Sequence, residues 1–469
     1  MEFYLESARN IPVLATTEVL VVGGGPSGIA AAMSAAREGA ATMLIERFGC
    51  FGGMMTTAGV ESIAWWRHEN TVESGGLARE IEETAKSMGA SSPEPQSNSQ
   101  AINAERFKLV ADAMLEQAGV RREYFASRAQ AGVRPVLHIT AVDVIKQGNN
   151  LLGVITESKS GRQAILANVI IDCTGDADIA WFAGAPFTKR EREELMCMTT
   201  VFSCANINKN AFMQNIKSTE PKYGDWGADE ENKNWSYDVH ESCRDMFSPY
   251  LGKVFAKGKS AGIIPKDVTL GGSWSTVTEY GDANYLNVVS IPAVDCTDVF
   301  DLTRAEIEGR KQAMQAIEAL RQFQPGFEQA QLKNFGMTVG TRESRHIIGR
   351  VQLTENDICN EGRHADSIGV FPEFIDGNGH LKLPLEANYF QIPYGVMIPQ
   401  QVENLLVCGR AIDADNFAYA TIRNMGCCIV TGEGAGTAAA IAIKNNTTVS
   451  QVDIQTVQER LQQNGVKVF

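Results

Sequence analysis

The feature that most constrains this chain is a glycine-rich turn between a short apolar segment and an alanine-rich one. The segment VLVVGGGPSG places Gly23, Gly25 and Gly28 in a G-x-G-x-x-G register. Hydrophobic periodicity predicts a strand before the turn, over residues 18–22, and a helix after it, over residues 27–38. In such a turn the first glycine allows the tight bend, the second lets a pyrophosphate approach the backbone, and the third lets helix and strand pack closely.

A carboxylate supports the same interpretation. Glu46 follows a second predicted strand, residues 42–45, at the position where an acidic side chain can accept hydrogen bonds from ribose hydroxyls. The strand–turn–helix–strand order predicts an α/β fold that opens a doubly wound parallel sheet and binds an adenine dinucleotide. The residues that this motif predicts to contact the cofactor are Gly23, Gly25, Pro26, Ser27, Gly28 and Glu46.

Composition excludes several other classes of protein. The 469 residues carry a formal net charge of −14, which repels nucleic acid and anionic membrane surfaces. The ten cysteines form no C-x-x-C pair, so we expect reduced thiols in a cytoplasmic protein and no metal site. The apolar run over residues 19–36 contains the glycine turn, so we expect neither a signal peptide nor a membrane span there.

The rest of the chain alternates strand and helix predictions. Residues 90–99 are predicted to form a surface loop, and residues 196–272 show little periodicity and suggest a cap that faces the substrate. The helix predicted over residues 298–323 carries Thr303 and Glu306 as a capping box, with Ile307, Met314, Ile317 and Leu320 on one face. Further helices are predicted over residues 104–118 and 424–443, and further strands over residues 136–145, 151–157, 164–171 and 404–408.

Three segments together resemble one family of flavoenzymes. They are ERFGCFGGMMTTAG (residues 46–59), IDCTGDADIAWFAGAPF (171–187), and IPYGVMIPQQVENLLVCGRAI (392–412) with GEGAGTAAAIA (432–442). They resemble the FAD-dependent oxidoreductases that have a glutathione reductase-type FAD-binding domain. The resemblance implies that Glu46 binds the adenosine ribose, that Gly52 and Gly53 lie along the pyrophosphate, and that the C-terminal segment binds the flavin.

Further cofactor contacts are expected from these segments. A helix N-terminus can stabilise the negative charge of a reduced flavin, and the backbone amides of Met425, Gly426 and Cys427 are the candidates for this role. The other residues expected at FAD are Arg47, Met54, Thr56, Ala141, Gly175, Asp178, Gly409 and Arg410.

These predictions combine into a Rossmann-like FAD-binding domain that is discontinuous and carries an inserted mixed α+β domain. Its first part is expected over residues 1–190, the substrate or cap domain over 191–388, and its C-terminal part over 389–469. The substrate is expected between the domains, over the flavin ring.

The expected function is two-electron dehydrogenation or reduction of a small organic substrate. His68 lies beside two tryptophans shortly after the glycine pair, and is the candidate proton carrier. Tyr394 and Arg342 are the other candidate catalytic residues. The sequence has no second strand-linked G-x-G-x-x-G for NAD(P)H, so the electron acceptor is left open, as is assembly into a homo-oligomer. An FAD-dependent monooxygenase and a non-catalytic flavin-binding protein are the two alternatives.

Overall fold

The computed structural model describes residues 4–63, 70–94, 98–118, 132–218, 236–238, 251–378, 380–382 and 387–469. Over these residues, in chain order, the helices are α1 (Pro26–Arg37), α2 (Gly76–Ser87), α3 (Ala104–Gln117), α4 (Asp178–Ala183), α5 (Lys209–Ser218), α6 (Gly252–Ser260), α7 (Val299–Phe323), α8 (Glu355–Cys359), α9 (Asn416–Ile422), α10 (Met425–Lys444) and α11 (Ile454–Gln463).

The strands over the same residues are two to twelve residues long. They are β1 (Val13–Val22), β2 (Ala41–Ile45), β3 (Ser91–Pro93), β4 (Gln100–Ile102), β5 (Gly132–Val136), β6 (Thr140–Gln147), β7 (Asn150–Ser158), β8 (Gly161–Asp172), β9 (Phe187–Thr188), β10 (Met198–Ala205), β11 (Ser236–Asp238), β12 (Leu270–Ser273), β13 (Thr276–Val277), β14 (Ala283–Ile291), β15 (Gln331–Phe335), β16 (His346–Ile347), β17 (Ser367–Pro372), β18 (Ile375–Gly377), β19 (His380–Lys382), β20 (Tyr389–Pro393) and β21 (Leu405–Val407).

The main sheet is parallel at its centre, as the opening motif predicts. Its order is β5-β2-β1-β8-β7-β6, and β5, β2, β1 and β8 run parallel. The outer edge of β8 is shared, because its first half pairs antiparallel with β7 and its last three residues pair parallel with β21. A short segment from near the C-terminus thus completes a sheet begun at the N-terminus. The α/β fold class expected from the sequence is confirmed.

Two glycines let α10 lie directly on α1. A Cβ atom on Gly432 would come within 2.2 Å of the Ser27 carbonyl oxygen, and one on Gly436 within 2.2 Å of the Ala31 carbonyl oxygen. The Ser34 hydroxyl bonds to that of Thr437 at 2.7 Å across the same contact. The small residues of α10 therefore provide close helix packing.

By length and composition α10 could cross a membrane, but 94% of its most apolar stretch is buried inside the protein.

A second hydrophobic core lies within the segment between Met198 and Val339. It is formed by the antiparallel sheet β12-β14-β10-β15, to which β13 adds, together with α5, α6 and α7. Ile368, Phe371 and Ile375 follow this segment, but they pack in the core of α1 and α10 instead. The core of the inserted sheet thus ends well before residue 388, the expected end of the cap.

The structure confirms the predicted bounds of α7 to within one residue but corrects its predicted capping box. Asp298, not Thr303, caps the helix, and its carboxylate accepts hydrogen bonds from the Phe300 amide at 2.8 Å and the Asp301 amide at 3.4 Å. Thr303 lies inside the helix and donates to the Val299 carbonyl at 2.7 Å, and Glu306 accepts from the Val339 amide at 2.8 Å. An aspartate is as good an N-cap as a threonine, and it comes first in the chain.

The buried face of α7 also differs from the prediction. Ile307 and Met314 are 60% and 49% exposed, whereas Ile317 and Leu320 are buried as expected. Asp301 and the small residues Ala305, Gly309, Ala313, Ala316 and Ala319 make up the rest of the buried face. A Cβ on Gly309 would lie 1.8 Å from the Thr200 hydroxyl of β10 and 2.9 Å from the Ile291 side chain of β14. Close approach to β10 and β14, and not side-chain size, selects the face.

Three other expectations need correction. The strand predicted over residues 136–145 is two strands, β5 and β6, separated where His138 has a φ of 58°. The loop predicted over residues 90–99 contains β3, which pairs antiparallel with β4. The region without periodicity contains β10, whose residues Met198 to Cys204 are all buried because it is covered on both faces. Such a strand does not alternate polar and apolar residues, so its sequence does not indicate a strand.

Candidate functional site

A cavity lies at the carboxyl ends of the parallel strands. Val22, Ile45 and Cys173, at or just after the ends of β1, β2 and β8, line it together with the N-terminus of α1. In open α/β sheets this edge is where dinucleotides bind, because the loops that follow the strands diverge there. The sheet and the glycine turn therefore place the candidate site together.

The three glycines of the turn have different roles. A Cβ on Gly23, whose φ is +103°, would lie 2.4 Å from the Cys173 carbonyl oxygen, and one on Gly28 would lie 1.8 Å from the Gly23 carbonyl oxygen. A Cβ on Gly25 would meet nothing closer than the Gly53 Cα at 3.8 Å. The fold thus requires glycine at positions 23 and 28, whereas at position 25 it leaves space in front of the backbone for a ligand.

The second glycine pair forms the facing wall. The Gly52 amide donates to the Gly24 carbonyl at 2.8 Å. Gly53 has a φ of +52°, and a Cβ there would come within 2.7 Å of the Gly25 Cα. Two stretches of bare backbone therefore meet at the cavity, beside the N-terminus of α1. This is a suitable surface for a pyrophosphate.

Glu46 is held in place by its own loop. One carboxylate oxygen accepts from the Gly24 amide at 2.7 Å and the other from the Phe48 amide at 2.9 Å. The side chain is buried and lines the cavity. A carboxylate has about four lone-pair sites, so these two bonds leave acceptors for ribose hydroxyls.

The segment around CTGDAD (residues 171–187), which we call the GD element, supplies three carboxylates with separate partners. Asp172 is fully buried and caps α4, accepting from the amides of Ile179 at 2.9 Å and Ala180 at 3.1 Å. Desolvation by burial raises its pKa. Asp178, which lines the cavity, pairs with Arg345 at 2.9 Å. Burial and the neighbouring aspartates raise the pKa of Asp178 to about 6.

Asp176 ties the GD element to the C-terminal segment. It pairs with Arg410 at 2.6 Å and accepts a hydrogen bond from the Ser344 hydroxyl at 2.6 Å. Burial would raise the pKa of Asp176, but the Arg410 guanidinium and the Ser344 hydroxyl hold it below its ordinary value. Arg410 also lies against Gly175, and its buried Nε has no hydrogen-bond partner among the described residues. That donor is free for a ligand in the cavity.

The N-terminus of α10 reaches the same cavity further along. Asn424, at the N-cap, and Met425 line it, and the buried Asn424 Oδ1 has no partner within the described part of the chain. Because Gly432 is level with Ser27 of α1, α10 begins seven residues before that contact, or roughly 10 Å at 1.5 Å per residue. The two helix N-termini therefore face different parts of the cavity, as a dinucleotide with a distant flavin requires.

The far wall comes from the second sheet. The register of β14 against β10 shifts twice, between Phe202 and its two flanking pairs, so β14 is bulged. Tyr285, in β14, has a φ of +52°, in the left-handed region that non-glycine residues rarely adopt. Tyr285 and Asn287 both line the cavity. Bulges next to sites commonly re-aim side chains in this way.

Hydrogen bonds orient these side chains. The Asn287 amide donates to the Tyr285 hydroxyl at 3.1 Å, and the Thr199 hydroxyl of β10 donates to the Asn287 Oδ1. Tyr285 is 9% exposed, and burial raises its pKa to about 12. The phenol is therefore neutral at physiological pH and can donate its proton in a hydrogen bond.

Two arginines stand near this wall in different electrostatic settings. Arg423 pairs with Asp376 at 3.1 Å, so its charge is compensated. Arg342 lines the cavity, and its guanidinium has no hydrogen bond or ion pair with any described residue. Its main-chain carbonyl accepts from the Tyr419 hydroxyl at 2.9 Å. The backbone of Arg342 is thus anchored while its charge stays open to the cavity.

The structure brings most of the residues predicted for FAD to one cavity. Those that line it are Gly23, Gly25, Pro26, Ser27, Glu46, Arg47, Gly53, Met54, Ala141, Gly175, Asp178, Gly409, Arg410 and Met425, together with the catalytic candidate Arg342. Gly28, Gly52, Thr56, Gly426 and Cys427 stand behind the lining. Thr57 and Cys428 take the lining positions expected of Thr56 and Cys427. A local sequence pattern locates the segment that lines the cavity, but it does not tell which of two adjacent residues faces the cavity.

Tyr394 is placed away from the cavity. Its ring is buried, and its hydroxyl donates to the Val449 carbonyl at 2.8 Å. Removing that hydroxyl would leave a buried carbonyl without its partner, so the geometry gives Tyr394 a structural role. His68 lies outside the described residues and stays a prediction from the sequence.

Apart from Arg342, sequence reasoning missed the far wall. Thr199, Tyr285, Asn287, Asp376 and Arg423 carry no motif, and they come from segments far apart in the chain. Asp176 could have been found, because it stands in the CTGDAD element between two residues that were predicted.

The structure is similar to a geranylgeranyl bacteriochlorophyll reductase-like protein from Thermoplasma acidophilum, with 16% sequence identity and a TM-score of 0.48 over 96% of this chain and 84% of that one. It is also similar to the p-nitrophenol 4-monooxygenase PnpA from Pseudomonas putida DLL-E4, with 11% identity and a TM-score of 0.46 over 96% and 84%. No curated protein matches the sequence.

The family is established by the sequence itself. A family model described as FAD dependent oxidoreductase matches residues 18–461, which is nearly the whole chain. The match includes the glycine turn, the GD element, the inserted sheet and α10. The chain therefore belongs to the family of FAD-dependent oxidoreductases, and its cofactor is FAD.

Proposed function

We propose that this protein transfers two electrons between FAD and a small organic molecule, in a dehydrogenation or a reduction. One observation carries the proposal: the bare backbone at Gly25 and Gly53 and the polar side chains of β14 line the same cavity. A cofactor held on the first wall would leave its ring exposed to a substrate on the second. We also propose that the FAD-binding part is of the glutathione reductase type.

The residues present fit the cofactor. Glu46 would hold the adenosine ribose, and the bare backbone at Gly25 and Gly53 would lie along the pyrophosphate. The Arg410 Nε and the N-terminus of α10 would face the flavin and favour its negative charge when it is reduced. Bound FAD supplies the hydride chemistry. The protein must bind the substrate, exclude water and deliver or remove the accompanying proton.

The test uses the FAD-loaded protein under anaerobic conditions. Panels of small alcohols, amines and carboxylic acids are mixed with the oxidised form, and unsaturated ketones and acids with the photoreduced form, while visible absorbance reports the redox state. We expect at least one compound to change the flavin with a rate that saturates with concentration. The variant Gly25→Val, whose larger side chain should exclude FAD, controls for reactions away from the site.

Two outcomes would contradict the proposal. Failure of every compound to reduce or reoxidise the flavin would favour a flavin-binding protein without turnover. Incorporation of isotopically labelled dioxygen into a product, measured by mass spectrometry, would identify a monooxygenase instead.

A further inference from the structure

We infer that the substrate carries a carboxylate, which the Arg342 guanidinium and the Tyr285 hydroxyl bind on the cap side of the cavity. This inference rests on the proposed function and specifies its substrate class. It starts from the charges that line the cavity. Glu46 and Arg47 stand at the adenosine end, Asp178 pairs with Arg345, Asp176 with Arg410, and Asp376 with Arg423.

Arg47 is exposed at the adenosine end, and Arg342 is the remaining arginine of this set that has no ion pair with a described residue. It is half-buried and lines the cavity, and its five N–H donors have no acceptor among the described residues. The chain as a whole carries a net charge of −14, so an uncompensated arginine in a cavity is not explained by a generally basic surface. A guanidinium presents a planar fork that matches a carboxylate, and such charge-assisted bonds are about twice as strong as neutral ones.

Tyr285 supplies an independent observation at the same wall. Its hydroxyl already accepts a hydrogen bond from the Asn287 amide, whose orientation is set by the Thr199 hydroxyl. The phenolic proton has no acceptor among the residues that the structure describes, although the side chain is nine-tenths buried. It is therefore available to a ligand in the cavity that Tyr285 lines.

The two side chains line the same cavity. The positive charge of Arg342 favours the ionised form of the Tyr285 phenol, although burial prevails and raises its pKa. Neither donor has a hydrogen-bond acceptor among the described residues. A group that accepts hydrogen bonds and carries negative charge would satisfy both, and a carboxylate is the small organic group that does so.

The experiment measures binding and not turnover. The FAD-loaded protein is titrated with acetate, succinate and benzoate, each beside its neutral amide, at constant ionic strength, while the flavin absorbance spectrum is recorded. We expect at least one carboxylate to perturb the spectrum with saturation, and its amide to bind roughly tenfold or more weakly, because hydrogen bonds to charged groups contribute more than neutral ones.

Three variants assign the effect. Arg342→Gln should weaken binding of that carboxylate about tenfold or more and abolish the preference over the amide, with unchanged FAD content. Tyr285→Phe should weaken it by a smaller factor, about fivefold, since one neutral donor is lost. Arg321→Gln removes the same charge from an exposed site on α7 and should leave the affinity unchanged.

Several results would overturn the inference. They are failure of all three carboxylates to bind the wild-type protein, equal binding of carboxylates and amides, or wild-type affinity in Arg342→Gln. The outcome is separable from that of the proposed function. Carboxylate binding that depends on Arg342, without any redox change for any compound, would retain the anion site and reject the redox function.

Discussion

At the scale of single residues, neighbouring glycines in one motif serve the fold and the ligand separately. Gly23 and Gly28 are enclosed by main-chain atoms, whereas the space in front of Gly25 is open. The G-x-G-x-x-G pattern placed all three at the cofactor and assigned the tight turn to Gly23, the pyrophosphate approach to Gly25 and helix packing to Gly28. The contacts add which atoms surround each glycine.

This difference predicts that one alanine substitution weakens FAD binding and that the other lowers the stability of the fold. Gly25→Ala should leave the melting temperature of the FAD-free protein unchanged and weaken FAD binding roughly tenfold or more, since a methyl group would occupy the pyrophosphate position. Gly28→Ala should destabilise the FAD-free protein by about 1 to 3 kcal/mol, because its Cβ would overlap the Gly23 carbonyl. Flavin content after gel filtration and calorimetry of both apoproteins check this. Full flavin occupancy in Gly25→Ala would reject it.

At the scale of elements, the packing of α10 buries a carboxyl group and raises its pKa. Glu433 lies in the middle of this helix, is 4% exposed, and accepts a hydrogen bond from the Leu77 amide of α2 at 2.8 Å. Desolvation by burial raises its pKa from 4.5 to about 8, and the Leu77 amide and Arg37 oppose the shift only partly. The folded protein therefore holds a proton that the unfolded chain releases.

The sign of the resulting pH dependence follows from this proton. Below about pH 4.5 the contribution of Glu433 to stability is fully present, and it is lost as pH rises to about 8. Glu433→Gln should make the free energy of unfolding less dependent on pH across that window, by up to about 1.4 kcal/mol per pH unit. Urea denaturation of the FAD-free protein at several pH values measures it. The exposed Glu459→Gln serves as control, and an unchanged pH slope in Glu433→Gln would contradict the argument.

At the scale of the whole molecule, the described residues show one glycine turn of the dinucleotide-binding type, at Gly23, Gly25 and Gly28. The other close-set glycines, Gly432, Gly434 and Gly436, lie inside α10, where they contact α1 and Ile368. They pack helices and do not open a second dinucleotide fold, so the sequence offers no recognised place for NAD(P)H.

We therefore expect neither NADH nor NADPH to reduce the flavin with saturable kinetics. The FAD-loaded protein is mixed anaerobically with each nucleotide and followed by visible absorbance. Photoreduction of the same sample shows that the flavin can be reduced. Rapid bleaching that saturates with nucleotide concentration would show that another part of the chain binds the nucleotide.

The sequence by itself determined the cofactor half of this protein. A tight turn, a helix N-terminus and the acid after the next strand are close in the chain, so their contacts depend on local geometry that residue type records directly. The family resemblance extended this to Gly53, Gly175 and Arg410, which the cavity brings together.

Only the tertiary structure decided the other half. β10 is buried on both faces and shows no period, and the turn of β14 toward the cavity depends on bulges that no residue type marks. Arg342 is a candidate from the sequence, but only the packing of two distant segments against the FAD-binding part brings it and Tyr285 to one cavity, where neither donor has an acceptor among the described residues. A missing partner is a property of the folded molecule, so a sequence pattern cannot contain it.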